Sequence, residues 1–364
     1  MTGVACGDVE ANGLPADEPR LLVDEDQELH SLPFHGMERQ GMQATGILRK
    51  ILSWTPIPRV ALHSLSGVGV VLYHDIGNPN EFTDGMGVVT AADVFERHME
   101  ILSKHYNFVS ISDIVAGNLP DRPLLVTFDD AYKSVLDTAS PITQRFGAKP
   151  LFFISTAPVF DGRIILDNLL TFAQNNAPEE LRAIFGTPLG TTAATILSSV
   201  LPSRSAGERR EFRDRLAASL GATPQEWGRR SGLYLDQDDL LELRGRGFDL
   251  GTHTSSHVHL RGLLPSEHDE ELRGPSLLIE KLTGEKPVSF SLPFGSRGDL
   301  MSSAMESLRS VGIRKTFLVE GMRNARESGE VMCRNSVGKM DAGQLLAEIE
   351  VVSRLKRRTI QELP

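Results

Sequence analysis

From residue 66 onward, apolar positions recur at two spacings that take turns along the chain. Short runs rich in β-branched and aromatic residues read as buried strands: "VGVVLYH" (68–74), "PLLVTFDD" (123–130), "KPLFFIST" (149–156), "FDLGTHTSSH" (248–257), "VSFSLPFG" (288–295), "KTFLVEG" (315–321) and "VMCRNSVG" (331–338). Between them, "TAADVFERHMEILSKH" reads as a capped helix, and "AYKSVLDTASPITQRFG", "DQDDLLELRGRG", "MSSAMESLRSVG" and "AGQLLAEIEVVSRLKRR" carry apolar positions at helical spacing. "FVSISDIVAG" reads as a strand running into a short helix, and "PSEHDEELRGPSLLIEKLTG" as a helix that Pro275 must bend or divide. Strand–helix alternation of this kind implies a parallel sheet or a (β/α) barrel.

The rhythm breaks at 157–235, where the pattern is almost wholly helical and reads as an insertion or small cap, with Trp227 and Tyr234 near its end as residues that would cover a site. Residues 1–65 are acidic, contain Gly and Pro and lack periodicity apart from a possible amphipathic helix at 46–62, so we expect an N-terminal extension that is partly disordered. The expected organisation is therefore an extension at 1–65, a barrel at 66–345 interrupted by the 157–235 insertion, and a C-terminal helix at 346–364.

Composition narrows the function classes. Lys+Arg number 38 against Asp+Glu 48, a formal net charge of -10, which offers no electrostatic footprint for nucleic acid and disfavours anionic membranes. The N-terminus shows no basic region followed by an apolar core, and no run reaches the roughly 20 apolar residues that span a bilayer. The expectation is a cytoplasmic protein without a transmembrane segment. Cys6 and Cys333, far apart in sequence, argue against a disulfide framework.

Three polar clusters follow predicted strands. Asp129 and Asp130 end "VTF"; neighbouring side chains on a strand point to opposite faces, so two adjacent acids at a strand end can hold different tasks, although helix capping is the plainer reading. His253 and His257 in "HTSSH" bring two imidazoles toward one centre, a spacing suited to Zn²⁺ or to two solvated surface histidines. Pro293, Phe294 and Gly295 fix a turn after a strand, either an ordinary surface turn or one that presents a backbone N–H to a substrate oxyanion. In barrels of this class, functional side chains collect at the C-terminal strand ends, which favours the chemical reading of all three.

In that order, "LLVTFDDAYKS", "HTSSH" and "SLPFG" resemble the successive motifs of the polysaccharide deacetylase family, the NodB-type homology domain of carbohydrate esterase family four. The resemblance runs from about residue 68 to about 340, outside the insertion, and includes "VVLYHDIG" and "VEGMRNARESGEVMCRNSV". It implies a distorted (β/α) barrel of the polysaccharide deacetylase type with a helical insertion. It also implies a general base at Asp129 that deprotonates metal-bound water, with Asp130, His253 and His257 as metal ligands and an oxyanion contact near Phe294. The implied cofactor is one divalent metal ion, zinc first, with cobalt, nickel or manganese as alternatives. The implied substrate is an N-acylated amino sugar or oligosaccharide, and the acyl group acetyl.

The sequence departs from the family at three points. Ala131 stands where a Gly usually follows the two aspartates. Ser291 replaces the Arg that orients the base, with Arg297 or Arg334 as substitutes. The late Leu-x-His motif that supplies the catalytic acid is missing, since no histidine follows His268; His74 is the first replacement and His259 the second. A non-catalytic carbohydrate-binding barrel, and a deformylase or amidase acting on a small amide, are the competing functions.

Overall fold

The computed structural model describes residues 67–352, except 189 and 328; the N-terminal extension, the helix expected at 46–62 and the end of the C-terminal helix lie outside the described residues. Its strands are β1 (Gly69–Tyr73), β2 (Asp75–Ile76), β3 (Val89–Thr90), β4 (Asn107–Phe108), β5 (Pro123–Phe128), β6 (Leu151–Ile154), β7 (Asp249–Thr252), β8 (Ser289–Ser291), β9 (Lys315–Leu318), β10 (Val331–Cys333) and β11 (Asn335–Ser336). Nine of them form one parallel sheet in the order β10-β9-β8-β7-β6-β5-β1-β11, with β4 also pairing β5; β2 and β3 pair separately. Every residue of β1 and β5 is buried. That explains why these strands read as continuous apolar runs rather than alternations, because a parallel sheet is covered on both faces.

The pleat divides those residues between two cores. Val70, Leu125, Leu151, Phe153, Phe317 and Met332 meet inside the barrel, closed at one end by Ile111 and Ile114 of the helix Ile111–Ala116. Val71, Val126, Phe128 and Phe152 face outward, under Phe95, Met99 and Leu102 of the helix Ala92–His105 and under Leu240, Ile279 and Leu345. One continuous segment nearly closes the barrel: β10 pairs β9 along one edge, and immediately after Arg334, β11 pairs β1 along the other.

Local details depart from the periodicity in instructive ways. The helix Ala92–His105 has Ala91 at its N-cap and no side-chain cap, because Thr90 is committed to β3. Pro275 divides the expected helix: it sits at the junction where a π-helical stretch, Asp269–Arg273, passes into the α-helix Gly274–Thr283. Between β6 and β7 the described chain is helical throughout, with Leu166–Asn176, Pro178–Phe185, Ala206–Ser219 and Pro224–Ser231 as its longer helices. These pack around their own core of Leu169, Leu170, Ile196, Leu216 and Trp227, into which Phe82 reaches from the loop after β2.

Candidate active site

All three motifs lie at the C-terminal ends of the strands: the aspartates after β5, the histidines at the end of and after β7, and the turn after β8. Asp129 lies at the barrel mouth, 3 % exposed, its backbone N–H donating to the Tyr73 carbonyl. Asp130 and Ala131 both take left-handed backbone conformations (φ 73° and 62°), so the chain turns sharply there instead of entering a helix. That excludes the capping reading. A Gly is favoured where Ala131 stands because a Cβ in this region is strained.

Asp129 is gripped by Arg334. The guanidinium donates from Nη1 to Oδ1 at 2.7 Å and from Nη2 to Oδ2 at 2.8 Å, a bidentate pair in which neither residue meets solvent. Ser291 Oγ accepts from Arg334 Nη2 at 2.6 Å and donates to Asp129 Oδ2 at 3.1 Å. Burial pushes the Asp129 carboxyl up, but the charge of Arg334, then that of His253, outweighs burial and holds it below the usual carboxylate range. Of the two arginines offered by the sequence, Arg334 is the one at the site, while Arg297 pairs with Glu320 away from it.

Asp130, His253 and His257 form a separate buried group whose donor atoms all lie within 4.8 Å of one another. Asp130 Oδ1 stands 3.3 Å from His253 Nε2 and 3.4 Å from His257 Nε2. Each imidazole is oriented from behind. His253 Nδ1 donates to the Ser291 carbonyl at 2.8 Å, and His257 Nδ1 to Asp167 Oδ2 at 2.7 Å. Each Nε2 therefore faces Asp130 while Nδ1 is engaged behind it, as in histidines that bind metals. Asp130 Oδ1 is buried without a hydrogen-bond partner. A divalent cation fits this donor set, because it would meet that orphaned oxygen and both imidazoles. Burial lowers the His257 pKa, yet Asp167 and then Asp130 overcome it, so without an ion the ring is pushed up to about 9.

The loop between the histidines is held by Glu271, fully buried, which accepts from the Ser255 and Ser256 backbone N–H groups and from Ser256 Oγ. After β8, Phe294 takes φ 62° and Gly295 φ 67°. A Cβ on Gly295 would fall 2.7 Å from the Val319 backbone nitrogen, so glycine is required there by space as well as by conformation. Phe294 lines the cavity at the site, while Pro293 and Gly295 shape the turn from outside its lining.

The cavity encloses about 660 Å³ and contains His74, Asp129, Asp130, His253, His257 and His259. Its far wall comes from the helical insertion, including Thr171, Gln174, Ala193 and Leu197. Trp227 and Tyr234 are not in that wall. Trp227 lies in the insertion's own core, and Tyr234 stacks on Tyr132 and donates to Asn168. Burial lowers the His74 pKa, with Asp130 and Asp129 pulling the other way. Asp167 and Glu271 went unnoticed in the sequence; Asp167 carries only the weak signal of the one charged residue in the helix Leu166–Asn176, in its first turn.

The parallel barrel thus carries a His/His/Asp group beside a separately anchored carboxylate at its C-terminal mouth. Residues 213–314 match the family model described as polysaccharide deacetylase, a span that contains His253, His257 and the Phe294 turn. No curated protein sequence matches the chain. The fold is similar to that of the Streptococcus pyogenes deacetylase PplD in complex with acetate, at 13 % identity and TM-score 0.52, covering 78 % of this chain and 98 % of that one. It is also similar to IcaB from Ammonifex degensii, at 17 % identity and TM-score 0.50 over 79 % of this chain and 98 % of that one. A polysaccharide deacetylase from Bacillus cereus is similar at 15 % identity and TM-score 0.50, over 78 % and 69 % of the two chains. The resemblance to the polysaccharide deacetylase family is borne out, and hydrolytic deacetylation is the class of chemistry the family match supports. Among the described residues no helix is long and apolar enough to cross a membrane.

Proposed function

We propose that the protein is a metal-dependent hydrolase that removes an N-acyl group, acetyl first, from an amino sugar or its glycoconjugate. The observation that carries this reading is the separation of the two aspartates: Asp130 joins the imidazoles, whereas Asp129 is fixed beside them by Arg334 and Ser291. A divalent ion on Asp130, His253 and His257, with zinc the first candidate, would supply Lewis-acid polarisation of the amide carbonyl and make water more acidic.

In this reading Asp129 is ionised at neutral pH and takes a proton from the attacking water. Arg334 fixes both of its oxygens, so the base has one orientation. The turn at Pro293, Phe294 and Gly295 offers the Phe294 backbone N–H to the developing oxyanion. His74, held neutral at neutral pH by burial, would serve as the acid by passing to the departing amine the proton that Asp129 has taken from the water. The products are a free amine and a small carboxylic acid.

The test is acetate release from N-acetylated chito-oligosaccharides by zinc-loaded protein, with metal content measured on the same samples. Wild type is expected to hold about one ion per chain and release acetate, Asp129→Asn to keep the ion and lose turnover, and His74→Ala to keep the ion and lose most of kcat. Loaded wild type that is inert on acetylated and formylated amides alike refutes the reading in favour of a carbohydrate-binding barrel.

A further inference from the structure

The catalytic cavity holds a second set of unfinished polar atoms, apart from the aspartates and the two imidazoles of "HTSSH". His259 and Asp299 both line it, 4 % and 1 % exposed. His259 Nδ1 and Nε2 and Asp299 Oδ2 have no hydrogen-bond partner among the described residues. Nδ1 and Oδ2 stand 3.7 Å apart, too far for a hydrogen bond between them.

Neither group is loose. Asp299 Oδ1 accepts from Arg261 Nε at 2.6 Å, which fixes the carboxylate. The His259 ring lies flat against Phe294, centroids 3.7 Å apart and planes 10° from parallel, and Phe294 in turn contacts His257 at 4.8 Å. The pair is thus tied through one aromatic ring to the ligand group. Burying a polar atom without a partner costs on the order of 1–3 kcal/mol, so a fold that keeps three such atoms in two residues lining a cavity favours any ligand group that completes them.

We propose that His259 and Asp299 form a hydroxyl-binding subsite that positions the sugar ring of the substrate. A neutral imidazole offers one donor and one acceptor, and a carboxylate offers acceptors only. A sugar hydroxyl matches both, donating to Asp299 Oδ2 while accepting from an imidazole N–H. An anionic substituent is repelled by the carboxylate, and an apolar one leaves every orphaned atom as it was. The inference rests on the proposed function for the identity of the ligand as an amino sugar. The hydroxyl complementarity stands on geometry alone.

The probes are methyl N-acetyl-β-D-glucosaminide and its 3-, 4- and 6-deoxy analogues. Their binding is measured by calorimetry on zinc-loaded Asp129→Asn protein, alongside acetate release by wild type. One deoxy analogue is expected to bind roughly 10- to 100-fold more weakly than the parent, the loss of about one to two net hydrogen bonds. His259→Phe, which preserves the stack, should abolish that discrimination and raise KM, with zinc content unchanged. His259→Gln, which keeps a donor and an acceptor, should restore part of it and shows that loss in the Phe variant is not misfolding. Unchanged discrimination in folded His259→Phe protein, a fall in kcat alone, or no binding of any of these glycosides overturns the subsite. Selective binding without acetate release refutes the reaction and leaves the subsite standing.

Discussion

Arg334→Met offers a direct test of the electrostatic argument. Arg334 is fully buried and makes two charge-assisted bonds to Asp129, one to Ser291 Oγ and a longer one of 3.4 Å to Thr127 Oγ1. Removing one partner of a buried pair strands the other charge, at about 3–5 kcal/mol, a large share of the roughly 5–15 kcal/mol that stabilises a typical domain. The size of this loss should depend on pH. In wild type the depressed Asp129 pKa contributes stability above the unfolded carboxylate range, lost as pH falls through the folded value. In the variant both Arg334 contributions are gone and burial is opposed only by the charges of His253 and His74, so the Asp129 pKa rises from its wild-type position and protonation relieves the stranded charge as pH falls. Urea unfolding of both proteins at neutral and mildly acidic pH should therefore show a gap that narrows toward acid. Adding Asp129→Asn should shrink it to the cost of lost packing and of the Ser291 contact. A gap that ignores pH, or that is as large in the Asn background, refutes the idea that Asp129 is held ionised by Arg334.

Two further variants probe how the site is built. An ion must displace the proton that Asp167 and Asp130 hold on His257, so zinc affinity, measured against a chromophoric chelator, should rise about tenfold per pH unit up to about 9 and then level. Asp167→Asn should weaken binding roughly 10- to 100-fold and move that levelling point to lower pH, and an unchanged profile removes Asp167 from the site. Ala131→Gly relieves left-handed strain of about 1 kcal/mol but exposes a 2 %-accessible methyl worth about 0.8 kcal/mol, so chemical denaturation should show a change under about 0.5 kcal/mol either way.

The barrel was legible because its strands are short, apolar and punctuated, and because "VTFDD" and "HTSSH" place chemistry at strand ends where local geometry alone brings it to one mouth. The supporting residues were not legible in the same way. Asp167 meets His257 across 90 positions and Arg334 meets Asp129 across 205, and neither contact leaves a periodic trace. Arg334 was one of two arginines with equal claims by sequence; only the strand pairing, which seats residue 334 between β10 and β11, separates them. The insertion read as a helical insertion or small cap over the site, since the sequence shows helices but not that one of them supplies the carboxylate behind His257. Trp227 drew attention as a cover for the site through its size, and size is equally what a small helical core needs.

The seam from Val331 to Ser336 has a consequence for how the molecule comes into being. It joins β9 to β1, strands some 240 residues apart, so it is among the most non-local pairings in the chain and belongs late in folding. The same segment carries the only guanidinium that the described residues place on Asp129. An incompletely assembled chain would hold Asp129 without the guanidinium that fixes both of its oxygens, and so without the single orientation the proposed base needs. Under the proposed function, reactivity then reports on completed assembly: a barrel that has not joined β9 to β1 has no oriented base.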